Sequence, residues 1–393
     1  MQRPLAIMLP TRLALSKFIS SYWLVAGYLC LLTGLFWLPE ISPYTKVYYA
    51  AFAAPALLGL LLAPRNMLAL LREPIILAFL ALAAWLLASL YWTTSDSNSI
   101  SLAKRPLYVF MLFAGCALIA MRDQALLLKT LYGAAIVASL VALVSVAYFL
   151  LSESGARMVG YGALRNALLS SHVFGFFLAF WICLGLSHKE KAWQALLAAL
   201  PLAFACLATG SRTPLLAMVV VLCWMLLFCW KRAGLLLAGI LALAVLSLLI
   251  DPQILLQRGV SYRPQLWAEA LRQALETPWL GHGYDSRFVF DIPGRRGLLS
   301  DPHNIALAVL LELGLVGLLA WITMHGLALG RCLRQRHLPS FQLASALLVY
   351  GLTAGLTEGS SFLARPNESW FIIWIPLALI AALSITQRGL ANK

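Results

Sequence analysis

Asp301-Pro302-His303-Asn304 runs directly into IALAVLLELGLVGLLAWITMHGLALG, residues 305–330. Within that second stretch only Glu312 carries a formal charge. A bilayer span takes about 20 apolar residues, so the stretch predicts a long membrane helix over roughly 303–330. The polar residues before it mark where that helix meets water. Pro302 suits a first helical position and Asp301 suits the cap before it, which places His303 in the first turn. There the positive end of the helix dipole favours a neutral imidazole, and a neutral imidazole can accept a proton.

The rest of the chain reads the same way. Of 393 residues, 62% are hydrophobic and 11% charged, and the mean hydropathy is +0.86. Soluble domains carry about 25% charged residues. The composition therefore predicts an all-α polytopic membrane protein. Twelve transmembrane spans are expected, centred near residues 28, 55, 83, 112, 138, 177, 199, 221, 242, 316, 350 and 377. Residues 1–250 hold spans one to nine, 251–302 form one larger outer loop, and 303–393 hold spans ten to twelve. Arg3, Arg12 and Lys17 precede the first apolar run without a small-residue cleavage site, so a start-transfer span is expected there. The seven cysteines form no CxxC pair and read as small buried apolar residues.

Charge sorts the connections. One side carries 16 of the 29 lysines and arginines, mostly in short turns beside span ends. By the positive-inside rule that side is cytoplasmic and holds both termini. The other 13 cations lie outside, and 11 of those are arginine. Topology alone does not distinguish lysine from arginine. Arginine's fork matches phosphate oxygens bidentately, so the outer bias points to a phosphorylated lipid. Among the outer arginines, Arg212 stands at a span rim in the tight turn Thr209–Pro214, and Arg105 and Arg165 are further candidates.

Within the outer loop, residues 264–277 read as an amphipathic helix at the membrane interface. Leu266, Trp267, Ala270, Leu271, Ala274 and Leu275 form its apolar stripe, and Arg263 stands just before it. Gly281-His282-Gly283 follows as a turn, and Gly294-Arg295-Arg296-Gly297 as a loop tip. No D-x-D triplet, H-E-x-x-H, G-x-S-x-G or GxxxxGK sequence is present. Hard cations need several oxygen ligands, and Asp285, Asp291 and Asp301 look scattered. Neither a metal nor another cofactor is expected, and no nucleic-acid partner. Any reaction must draw its energy from an activated substrate.

The ordered set of short motifs resembles the O-antigen ligase/polymerase superfamily of bacterial inner-membrane proteins. It runs Gly210-Ser211-Arg212-Thr213, Arg263-Pro264-Gln265-Leu266-Trp267, Pro278 through Gly281-His282-Gly283, then His303-Asn304 and Glu312-x-Gly314-x-x-Gly317. It covers roughly residues 205–320, and the O-antigen ligase branch fits best. The resemblance implies a membrane glycosyltransferase of GT-C-like fold in a Gram-negative inner membrane. Such an enzyme moves a finished glycan from undecaprenyl pyrophosphate to a sugar hydroxyl of lipid A-core on the periplasmic side, without metal and with inversion. It implies His303 as base, with Arg212 and Arg263 at the pyrophosphate; Arg105 and Arg165 are weaker candidates, and Asp301, Asn304 and His282 would support. The near alternatives are the polymerase branch and a lipid-linked sugar transporter. The related protein O-oligosaccharyltransferases usually carry a longer C-terminal region.

Overall fold

The computed structural model describes residues 12, 14–152, 157–250, 262–293, 297–359 and 361–391. Helices dominate, and among these residues the only β pairing is a bridge between Phe290 and Leu299. The helices are α1 (Ala14–Trp37), α2 (Ile41–Leu62), α3 (Arg65–Leu71), α4 (Pro74–Ser89), α5 (Ser99–Arg122) and α6 (Gln124–Leu151). Then come α7 (Ala167–Ser187), α8 (Lys189–Ala208), α9 (Thr213–Ile250) and the short α10 (Arg263–Ala274). The chain closes with α11 (Ile305–Arg334), α12 (Pro339–Thr357), α13 (Ser369–Ile372) and α14 (Trp374–Ala391).

Nine described helices are long and apolar enough to cross a membrane, or ten if α3 and α4, bent by 81° at their junction, count as one span. The chain is a multi-pass membrane protein, but this test does not reach the twelve spans expected from hydropathy. The spans expected near 221 and 242 both fall within α9, where two helical segments meet at a kink at Cys229 (φ −143°, ψ 58°). Hydropathy windows register two maxima there because Lys231 and Arg232 divide them. The last apolar run is broken between α13 and α14, and α14 alone has 18 residues.

α14 is the axis of the bundle. Residues 371–385 are buried without interruption, and the helix packs on α5, α11 and α12. A helix apolar on every side belongs inside protein or lipid; here other helices surround it. Trp374 Nε1 donates to Phe362 O at 2.9 Å, tying its start to the preceding link. α6 and the second half of α9 lie at the margin, with Leu140, Val144, Leu243 and Leu249 exposed.

The feature that positions the site is a break inside α11. Gly314 has φ 64° and ψ −167°, a region essentially closed to other residues. The break frees backbone groups, each costing several kcal/mol if left unpaired in hydrocarbon. Neighbouring segments take up several of them. His282 N donates to Leu311 O (2.8 Å) and Gly283 N to Glu312 O (2.9 Å). Trp85 Nε1, from α4, donates to Leu313 O (2.9 Å). Leu315 N and Val316 N reach Pro278 O (2.8 Å) and Trp279 O (3.4 Å). The Pro278–Gly283 turn thus stands in for a missing helical turn, at a closeness only glycine permits: a Cβ on Gly314 would lie 2.3 Å from Trp279 O, and one on Gly281 2.5 Å from Glu312 O.

Gly314→Ala should therefore destabilise the fold by about 1–3 kcal/mol from backbone strain alone, with the steric clash adding to it. Thermal unfolding followed by tryptophan fluorescence in detergent would read this; an unchanged midpoint would show that the junction is not under strain.

Candidate active site

Helix α10 lies against α11. Leu266, Ala270 and Ala274 bury into a small core with Phe290, Ile292 and Leu311. Leu271 and Leu275, expected in the apolar stripe, are exposed instead. The helix stops at Ala274, short of the expected 277, because Thr277 precedes Pro278 and is kept out of helical conformation. Of the expected outer loop, 251–261 and 294–296 lie outside the described residues.

The junction before α11 differs from the sequence reading in a way that matters chemically. Asn304, not Asp301, caps the helix: its Oδ1 accepts from Leu307 N at 3.1 Å, and α11 begins at Ile305. His303 precedes the cap with φ 47°, an uncommon left-handed conformation for a non-glycine residue. A side-chain clamp holds it there. Asp301 Oδ1 accepts from His303 N at 2.9 Å and sits 2.6 Å from His303 Nδ1. Asp301 therefore orients the ring. The imidazole is not held neutral by a helix dipole either. The hydrogen bond to Asp301 raises its pKa against the opposing effect of burial, and the charges of Asp301 and Glu358 raise it further. Burial pushes Asp301 up, but the bonds to His303 bring it below its usual value. Nδ1–H donates to Asp301, and Nε2 has no partner among the described residues.

Glu358, directly after α12, completes the cluster. Its carboxylate is 4% exposed, lies 3.5 Å from His303 Nδ1 and pairs with Arg263. Burial raises its pKa, while Arg263 and His303 pull it down. Trp267 Nε1 donates to Pro302 O at 3.1 Å, fixing α10 to the His303 segment. Arg263, Asp301, His303 and Glu358 thus come together from three separate parts of the chain. In the sequence Glu358 reads as no more than an acidic residue near a span. His172 is buried, with neither ring nitrogen hydrogen-bonded among the described residues. It is close enough to Arg263 to feel its charge.

Arg105, Arg165 and His282 are engaged with other groups. Arg105 NH1 donates to Tyr284 Oη (2.9 Å) and Asp285 Oδ1 (3.0 Å). Arg165 NH2 donates to Pro39 O (3.0 Å). Arg212 is exposed, and its carbonyl accepts from Leu216 N (3.1 Å) at the start of α9. His282 Nε2 lies 3.0 Å from Gln273 O and its ring packs edge-on against Phe288, joining the end of α10 to the turn. Among the described residues no three His, Cys, Asp or Glu side chains are grouped to hold a metal ion. Asp285 and Asp301, scattered in sequence, nevertheless line one cavity together with Glu312.

Two comparisons with known proteins place the chain in a family. The family described as O-antigen ligase matches residues 196–322, which carry Arg212, Arg263, Asp301 and His303. A protein named O-antigen ligase from Pseudomonas aeruginosa is 44% identical over 389 residues, covering 96% of this chain and 94% of the relative.

The clamp has a pH signature. A raised imidazole pKa and a depressed carboxylate pKa leave both groups charged in the window between them. Their contribution to stability is lost as pH falls through the Asp301 value and as pH rises through the His303 value. Asp301→Asn should move the His303 titration to lower pH. Histidine-labelled NMR, with His303→Ala to assign the signal, reads the shift; an unmoved titration would remove Asp301 from the ring's environment.

Proposed function

Because this chain belongs to the O-antigen ligase family, and so is a glycosyltransferase-type ligase, we propose that the His303 cluster transfers a glycan from undecaprenyl pyrophosphate to a sugar hydroxyl of lipid A-core. The observation that carries this reading is the paired ring: Nδ1 is engaged by Asp301, leaving Nε2 to take a proton. In the reaction Nε2 removes the acceptor hydroxyl's proton. The acceptor oxygen bonds to the anomeric carbon, the bond from that carbon to the phosphate oxygen breaks, and the pyrophosphate leaves with the electron pair. Attack opposite the leaving group inverts the centre.

Base catalysis requires the neutral ring, so activity should rise with pH through the raised pKa of His303. The departing pyrophosphate needs positive charge that does not titrate, which arginine supplies. We assign this to Arg263, fixed in the cluster by Glu358, and to Arg212. Arg105 and Arg165, already engaged with Asp285 and Pro39, receive no such part. The leaving group is already activated, so no metal enters this scheme. The site would face the periplasm of a Gram-negative inner membrane, with both termini cytoplasmic. The long lipid tails of donor and acceptor would lie in the bilayer beside it.

His303→Ala should lower kcat about 10²–10⁴-fold while donor binding persists. The assay uses purified protein, labelled lipid-linked glycan and core lipid. Retained turnover would refute the base assignment, and label in a lengthened lipid-linked glycan instead of core lipid would make the enzyme a polymerase. Arg212→Lys should be severely impaired despite its kept charge, because the fork is lost; near-normal rates would leave Arg212 a topological role.

A further inference from the structure

Asp301 belongs to two structures at once. It orients His303, and with Pro302 it forms part of the wall of a cavity of about 160 Å³. Asp285, Ser286, Phe288, Glu312 and Phe362 supply much of the rest, and among the described residues no lysine, arginine or histidine lines it. The polar groups that the described residues offer a phosphate there are carboxyls and hydroxyls.

The wall's hydrogen-bonding capacity is partly spent. Asp285 Oδ2 accepts from Ser95 and Ser97 (2.7 and 2.8 Å), and Oδ1 accepts from Arg105. Those hydroxyls and Arg105 hold the Asp285 carboxyl below its ordinary range although burial pushes it up. Glu312 Oε2 accepts from Asp285 N at 2.8 Å, while no described residue donates to Oε1. Asp301 likewise uses only Oδ1. What remains is an acceptor-rich lining with three aromatic rings, those of Tyr284, Phe288 and Phe362. It calls for a ligand that brings O–H donors, carries no negative charge and offers an apolar face. A sugar ring has all three properties.

We propose that this cavity is the acceptor subsite: it seats one neutral sugar ring, hydrogen-bonded to Glu312 Oε1, and presents a hydroxyl to His303 Nε2. This rests on the ligase reading above. The donor's first sugar is tied to its pyrophosphate and must follow it to Arg263. The acceptor has no such tether, and Asp301 links its cavity wall directly to the base.

Glu312→Gln and Ser300→Trp test this. The first keeps an acceptor for Asp285 N but turns a free carboxylate oxygen into an amide. The second, at the exposed rim, fills the cavity mouth. With donor and core lipid varied separately, each variant should raise the acceptor KM about tenfold, on the order of one hydrogen bond lost. The donor KM should hold within about twofold. Binding of delipidated core oligosaccharide, measured by calorimetry, should weaken in parallel. A shift in donor KM instead would seat the donor glycan here. Unchanged KM values in both variants would leave the cavity without a substrate. A chelator that raises the wild-type acceptor KM as far as Glu312→Gln does would make it a cation site. If Glu312→Gln fails to fold, Ser300→Trp decides alone. If the wild type binds core oligosaccharide but transfers nothing to core lipid, the ligase reading fails while the subsite stands.

Discussion

Everything outside the bundle depends on backbone hydrogen bonds made across the break in α11. A helix interrupted in a membrane leaves carbonyl and amide groups that neither lipid nor the helix itself can satisfy. Here the Pro278–Gly283 turn and the Trp85 indole supply the partners, so loop and span become one hydrogen-bonded unit. The Trp92 indole adds a bond to Gly281 O at 3.2 Å, and Ser89 Oγ accepts from Tyr284 N at 3.1 Å. A loop tied this way cannot shift without exposing polar backbone. That is why a site assembled largely from loop residues can be held in place.

The charged cluster follows from the same economy. Glu358 is almost completely buried, and an isolated buried carboxylate is costly. Arg263 neutralises it and His303 borders it, so each charge has an opposite neighbour. Asp301 then offsets the strain of the left-handed His303 backbone with two contacts from one oxygen. A non-glycine residue in that region costs about 1–3 kcal/mol. The conformation aims the ring by a means that an ordinary first helical turn would not supply.

Much of this was legible before any coordinates. The all-helical membrane architecture follows from composition, and α10 follows from periodicity. The G-H-G and E-x-G-x-x-G patterns marked both sides of the junction. What sequence could not show was that they meet: Gly281 and Gly314 explain each other only in three dimensions. Glu358 was opaque for the same reason, since Arg263 lies 95 positions away. The misplaced cap had a local cause. Asp301 and Asn304 are both good caps, and Pro302 favoured the earlier one. The three-dimensional outcome turned on His303, whose pairing with Asp301 needs that carboxylate off the helix end. The span count and the length test part where α9 joins two apolar helical segments across the kink at Cys229.

The placement of charge also fits the demands of the proposed transfer. A base that begins with a raised pKa is a stronger proton acceptor once neutral, and the imidazolium it becomes is stabilised by Asp301 and Glu358. Positive charge on the leaving side must resist proton loss, and Arg263 does. A cavity whose described lining carries no cation offers the pyrophosphate no competing seat on the Asp301 side. The two substrates are then sorted by charge before any detailed fit is needed: the anionic donor toward arginine, the neutral hydroxyl toward carboxylate. The proposed base would stand where the two environments join, because Asp301 contributes to both.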